Sequence, residues 1–283
     1  MNTPQSAFQI SREQIIAIGN KLAPAAVTLA RLRPLLADPN TELEEIVNLI
    51  RLDPALTLHV VRLSNSVLFG TYQHIETLEG AVGRVGFMEI YRLVGLAASK
   101  QLCQRDLGTY RLTATRLWEN SVATAAAAEV LALPAGVESG LSYVAGLLRN
   151  LGTVVIDSFA TGKVYPGEGE SQLVSDWEKQ NFGMTSAEVT ATLLEHWRFP
   201  AGVVDAIRAQ HDPLADDVSN VGACVLNLAC GVSRRFGLDL PGEAKHWERS
   251  EAKLTLGGVT DLVLEQCTEN AHAHYLALCA TLS

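Results

Sequence analysis

The chain has 283 residues, 48% of them apolar and only 6% aromatic, and its 22 basic and 31 acidic residues leave a formal charge of -9. That length buries a large core in one large or two small domains, and an aliphatic, alanine-rich composition leans helical. The acidic balance counts against nucleic acid and anionic membrane as partners, since no basic cluster stands out beyond Arg31/Arg33 and Arg234-Arg235.

The N-terminus lacks the basic start and apolar block of a signal peptide, and no uncharged apolar run reaches the roughly 18 residues of a membrane span. Cys103, Cys224, Cys230, Cys267 and Cys279 form an odd, widely spaced set without a C-x-x-C. Reduced thiols in a cytoplasmic protein are the expectation.

Ser11-x-x-Gln14 reads as a capping box opening a helix through Lys21, and Pro24 suits the first turn of the next. Val27, Leu29, Ala30, Leu32, Leu35 and Leu36 keep a helical apolar pattern until Asp38-Pro39 stops it, with Pro34 a candidate kink. Thr41-x-x-Glu44 reads as a second capping box, and Asp53-Pro54 as a third start signal for a helix ending near Asn65. A loop at Phe69-Gly70 follows. Thr77 caps another helix, and Gly86 separates it from a long apolar one, Phe87 to about Cys103.

Asp106-Leu107-Gly108 is a candidate junction. A helix from Leu112 to Leu133 has an alanine-rich centre, Ala123 to Ala128, where another helix can approach closely; Pro134 and Gly136 end it. The next runs from about Ser139 to Arg149-Asn150, with Gly152 expected to break or bend the chain. The glycine-rich stretch Gly162 to Glu170 is a loop. Further helices start at Thr185 or Ser186 and after Phe199-Pro200, and the latter ends at His211-Asp212-Pro213. Val218 to Phe236 is apolar, Leu240-Pro241-Gly242 turns, and Thr260 to Leu282 is the last long helix. On it Leu264, Cys267, Ala271, His274, Leu278 and Leu282 share one stripe, expected to fold back on the chain's own core with His274 partly buried. No alternation of period two long enough for a sheet appears in the N-terminal hundred residues.

Several spaced pieces agree in order with a known pattern: Leu52-Asp53-Pro54-Ala55-Leu56, Arg62-Leu63-Ser64-Asn65-Ser66 with Phe69-Gly70, Thr77-Leu78-Glu79-Gly80-Ala81 with Val85-Gly86-Phe87, and Leu193 to Pro200 with Ala206-Ile207 and His211. Over roughly residues 15 to 215 the chain resembles the HDOD family, the HD-related output domains of bacterial signalling. The resemblance implies an all-helical fold related to HD phosphohydrolases but generally without their activity. By the same resemblance Asn120 stands at the first histidine position, Arg149-Asn150 at the adjacent His-Asp pair, Ser186 where a histidine is frequent, and Gln210-His211 in place of a His-His pair.

The residue chemistry points the same way. Metals in such sites need imidazole nitrogens and carboxylate oxygens, Asn is a weak neutral ligand, and Arg offers no lone pair. Two like unit charges at 4 Å cost about 4 kcal/mol at an effective dielectric of ~20, so Arg149 repels a cation. Asn120, Arg149, Asn150, Ser186, Gln210 and His211 are therefore the candidate site residues, with no catalytic residue, metal or cofactor expected. They form either an anion or nucleotide pocket with Arg149 as phosphate contact, or a filled polar core in which Arg149 pairs with a carboxylate such as Glu119 or Glu188. The second is favoured, because a buried charge needs a partner whatever the function.

His272-x-His274 between Cys267 and Cys279 invites a zinc reading, but residues two apart on a helix point about 200° apart. The four tryptophans make no stacking platform interleaved with basic residues, and Ser64, Ser66 and Ser121 have no local His and Asp partners.

The expected fold is all-α: an N-terminal helical bundle (residues 1–107) packed on a degenerate HD-like core (108–215), with a C-terminal helical extension (216–283) against that core. The expected function is a non-catalytic signal-transduction module, cytoplasmic, working through contacts with other signalling proteins. Its rivals are a residual metal-dependent phosphohydrolase and a sensor of a nucleotide-like anion.

Overall fold

The computed structural model describes residues 9–65, 74–167, 172–215 and 220–280, with the Leu63 side chain left out. The expected Phe69-Gly70 loop, Ser66, the end of the Gly162–Glu170 loop (168–170), Val218 and Leu282 lie outside them. The described residues form fifteen α-helices and no strand, only an isolated bridge between Leu107 and Leu112. In order they are α1 (Arg12–Leu22), α2 (Pro24–Ala37), α3 (Leu43–Arg51), α4 (Pro54–Ser64), α5 (Leu78–Val85), α6 (Phe87–Leu102), α7 (Ala114–Ala135), α8 (Ser139–Leu148), α9 (Leu151–Phe159), α10 (Val174–Phe182), α11 (Ser186–His196), α12 (Ala201–Arg208), α13 (Val221–Arg235), α14 (Glu251–Leu256) and α15 (Asp261–Ala280). The fold is all-α. No single helix among the described residues is long and apolar enough to cross a membrane.

Helix α7 is the axis, and small side chains put it there. Ala123 and Ala125 to Ala128 are completely buried. A Cβ on Gly146 of α8 would lie 2.5 Å from the Ala125 Cα, so α8 crosses α7 almost backbone to backbone. One face of α7 joins a large apolar cluster that runs through α2, α6, α8 and α11, including residues on both sides of Leu107. The opposite face, Ala127, Ala128 and Leu131, packs on α13 and α15 through Val225, Leu228, Ala229 and Ala271.

Local signals place most of the helix starts. Ser11 and Gln14 cap α1 reciprocally, the Asp53 carboxylate accepts from Leu56 N at 3.0 Å at the start of α4, and Thr77 accepts from Gly80 N at 3.1 Å at the start of α5. Pro34 sits inside α2 without ending it. The second box is displaced by one residue: the N-cap is Glu42, whose N–H donates to Glu45 Oε1 at 3.2 Å, not Thr41 with Glu44. The reason lies upstream. Asp38 turns the chain by accepting from Asn40 N, and Thr41 N donates to the Asp38 carbonyl, so Thr41 belongs to the preceding turn.

The expected bend at Gly152 is also corrected. The helix breaks earlier, at Arg149-Asn150, and Gly152 lies within α9. Its glycine is required by contact: a Cβ there would come within 1.9 Å of the Ser186 carbonyl oxygen on α11.

The junction after α6 is tied down on both sides. Arg105 donates to Asp157 at 2.5 Å, Thr109 N donates to the same carboxylate at 2.9 Å, and Asp106 accepts from Ala114 N at 2.8 Å. Cys103, Cys224, Cys230 and Cys267 are buried free thiols, and Cys279 is half-buried.

The α15 stripe folds inward. Leu264, Cys267, Ala271 and Leu278 are buried, and His274 is partly buried 3.5 Å from Glu129 of α7. Burial, then the charge of Arg92, pulls the His274 pKa below the usual histidine value. His272 instead packs its ring on Phe236. No group of three or more His, Cys, Asp or Glu among the described residues is placed to hold a metal.

Truncation before Thr260 removes that stripe and bares the outer face of α7. The melting temperature should fall by at least about 5 °C, given roughly 1.5–3 kcal/mol for each large buried apolar side chain. Differential scanning calorimetry of the shortened chain decides it, and an unchanged transition would show that α15 contributes nothing to the core.

Candidate functional site

The centre of the molecule holds an arginine. The break between α8 and α9 turns Arg149 inward, and only 2% of it is exposed. Its five N–H donors meet five hydrogen bonds. Nε donates to Gln210 Oε1 at 2.8 Å, and Nη1 to Asn120 Oδ1 at 2.9 Å and Asn150 Oδ1 at 2.7 Å. Nη2 donates to both carboxylate oxygens of Glu243, at 2.7 and 2.8 Å. The Trp247 ring lies 5.1 Å from the guanidinium carbon and adds a cation–π contact.

The ligands of this cation are themselves held. Asn150 donates to Asn120 Oδ1 and to Ser121 Oγ, both at 3.0 Å, and Ser121 donates to the Leu117 carbonyl. Asn120 donates to the Leu238 carbonyl at 2.7 Å. The Gln210 carbonyl accepts from Asn227 at 2.6 Å. Asn120, Asn150, Gln210 and Glu243 are each at most 6% exposed, so the space is filled by side chains.

Four of the six candidate residues, Asn120, Arg149, Asn150 and Gln210, therefore meet in one network. Ser186 enters only through its backbone: the Thr190 hydroxyl lies 2.9 Å from the Ser186 carbonyl and 3.2 Å from that of Arg149, and accepts from Gly152 N at 2.8 Å. His211 makes no hydrogen bond to the network. Its ring stacks on His246 at 4.2 Å, and its buried Nε2 has no partner. Burial, with His246 and Arg149 nearby, holds its pKa well below the ordinary histidine value, so the ring is neutral.

The carboxylate is not one of those expected. Glu188 caps α11 and pairs with Lys179, and Glu119 makes no hydrogen bond to the arginine. Glu243 takes the role from the turn after α13, 94 residues along the chain. Sequence reasoning also missed Ser121, Thr190, Asn227 and Trp247. Nothing local marks Glu243, although Leu240-Pro241-Gly242 just before it did signal a turn.

A second buried acid stands behind the site. Glu178 accepts from the Tyr110 hydroxyl at 2.8 Å and from Ser186 N at 2.7 Å, anchoring the first turn of α11. Burial raises its pKa to about 7, and these two hydrogen bonds only partly oppose the shift.

The residues do not fit a metal ion. The oxygens that face the centre are three amides and one carboxylate, and a guanidinium already satisfies all of them. A divalent cation would meet a fixed positive charge, with no imidazole of the network to bind it. An incoming phosphate fares no better, since each donor of Arg149 is engaged and Glu243 adds a negative charge.

The HDOD domain model matches residues 22–213 of the chain. A crystal structure of an HDOD domain protein with unknown function from Geobacter sulfurreducens is 22% identical, with a TM-score of 0.66 over 89% of this chain and 90% of that one. A protein of Marinobacter aquaeolei VT8 assigned to signal transduction is 26% identical, with a TM-score of 0.67 over 92% of this chain and 60% of its own. An uncharacterized protein of Treponema pallidum (strain Nichols) is 29% identical over 192 residues, 65% of this chain and 36% of the relative, so the chain spans about a third of that relative's length.

Two outcomes follow from the buried charges. Arg149→Met leaves the Glu243 carboxylate without its cation and should cost about 3–5 kcal/mol in denaturant unfolding. Combining it with Glu243→Leu should cost clearly less than the sum of the two single changes, and simple additivity would show the pair uncoupled. For Glu178 the folded pKa lies above the unfolded one. Its contribution is full below the ordinary carboxylate range and is lost as pH rises toward about 7. Stability curves against pH for the native chain and Glu178→Gln should therefore diverge between about pH 4.5 and 7, with the native chain falling more steeply; parallel curves would mean that Glu178 titrates normally.

Proposed function

The chain belongs to the HDOD family, and within it we propose a non-catalytic regulatory module of signal transduction that acts through protein contacts rather than by hydrolysis. One observation supports this reading: the guanidinium of Arg149 is fully hydrogen-bonded and neutralised by Glu243, among residues that by the resemblance take the family's histidine and aspartate positions. Hydrolysis of a phosphodiester in an HD site relies on a metal to polarise the phosphate and supply an activated water. Asn120, Asn150 and Gln210 spend their oxygens on the arginine, and the His211 ring is stacked on His246 without a hydrogen bond to the network. What is left is a helical body whose outer surface is its means of acting.

The residual-phosphohydrolase reading asks for ligands that this network does not spare. The anion-sensor reading asks for a free donor, and the arginine has none. Contact with other signalling proteins agrees with the acidic balance of the chain, which opposes nucleic acid.

The chain purified without chelator should carry well under one equivalent of Fe, Mn, Ni or Zn by elemental analysis, and should not hydrolyse nucleotides, cyclic dinucleotides or generic phosphodiesters above background. Near-stoichiometric metal lost on His211→Ala, or turnover that follows the protein through purification and vanishes with Arg149→Ala, would reverse the conclusion.

A further inference from the structure

A groove of about 1010 Å³ runs between α2, the start of α4 and the C-terminal end of α11. We propose that it docks an acidic peptide segment of a partner protein. This rests on the contact-making role proposed above and gives it a location.

Charge is the main support. Arg31 and Arg198 both line the groove, and neither side chain has an ion-pair or hydrogen-bond partner among the described residues, whereas most arginines of the chain do. Exposed His196 stands beside them. The one carboxylate in the lining, Asp53, accepts from Leu56 N through Oδ1 at the start of α4 and offsets only one of the two arginines. An acidic chain thus presents a locally positive groove.

The backbone at Arg198 supports a role outside folding. Helix α11 closes in a Schellman motif: Phe199 N donates to the Leu194 carbonyl at 2.9 Å, and Arg198 N to that of Glu195 at 3.0 Å. The motif puts Arg198 at φ 62°, the left-handed position that glycine fills without strain. Folding alone favours glycine there. An exposed, unpaired arginine in a strained conformation suits a ligand better than it suits the fold.

The rest of the lining suits a peptide better than a free anion. Val27 and the well-exposed Leu52 offer apolar contact. The amide oxygens in the lining are already used, that of Asn20 by the Trp197 indole at 2.7 Å and that of Gln101 by Ala25 N at 3.0 Å.

The test is fluorescence polarisation of the full chain with a fluorescein-labelled degenerate peptide pool in which every second residue is glutamate, beside a matched pool carrying lysine instead. The glutamate pool should bind, more weakly as salt rises, and the lysine pool should not. Arg198→Gly and Arg31→Glu should each weaken binding roughly tenfold, as expected for one lost charge-assisted contact. Arg198→Gly should leave the melting temperature unchanged or raise it, because glycine relieves the left-handed strain. No binding up to about 1 mM, equal binding of the two pools, or full displacement by a few millimolar sulfate would overturn the proposal. So would variants that bind like the native chain. A marked loss of stability in Arg198→Gly would make the arginine structural, and Arg31→Glu then decides alone. None of these outcomes bears on the absence of turnover, which the metal and hydrolysis measurements judge separately.

Discussion

A buried guanidinium with all five donors used constrains everything around it. Arg149 can be charged in the interior only because Glu243 neutralises it and three amides saturate its remaining hydrogens. Those partners come from α7, from the break between α8 and α9, from the end of α12 and from the turn after α13. Each element must hold its position to within a hydrogen bond, or an orphaned charge is left in the core. The alanine-lined crossing of α7 and α8 sets that position, since no side chain at Gly146 stands between the two backbones.

Much of the fold was legible because its causes are local. Capping side chains, prolines in first turns and apolar spacing mark the helices within a few residues. The exceptions were set by something further away. Thr41 looked like a cap, yet the Asp38 turn had already used its backbone. Gly152 looked like a breaker, yet its meaning is the carbonyl of Ser186 on another helix. The site was half legible. Arg149 at the end of an apolar helical pattern announced that an arginine sat in the core and that it needed a carboxylate. Which carboxylate depended on a tertiary contact across 94 residues, and the nearer acids, Glu119 and Glu188, were false leads.

The residues after 213 lie beyond the family match, yet they are part of the same core. Helix α13 contributes Asn227, which fixes the Gln210 carbonyl, and the turn beyond it contributes Glu243 and Trp247. An arginine buried among amides is balanced only when a counter-charge arrives with it. The C-terminal segment supplies that charge, so the buried polar centre and the residues beyond the family match are understood together.

The same arginine decides what the core depends on. A core centred on a dissociable ion gains stability by mass action, in proportion to the logarithm of the free ion concentration, and loses it when the ion is scarce. Here the central positive charge is covalently part of the polypeptide. It arrives with every copy synthesised, needs no loading step, and has no empty counterpart. The charge balance of this one centre is thereby independent of the supply of divalent cations.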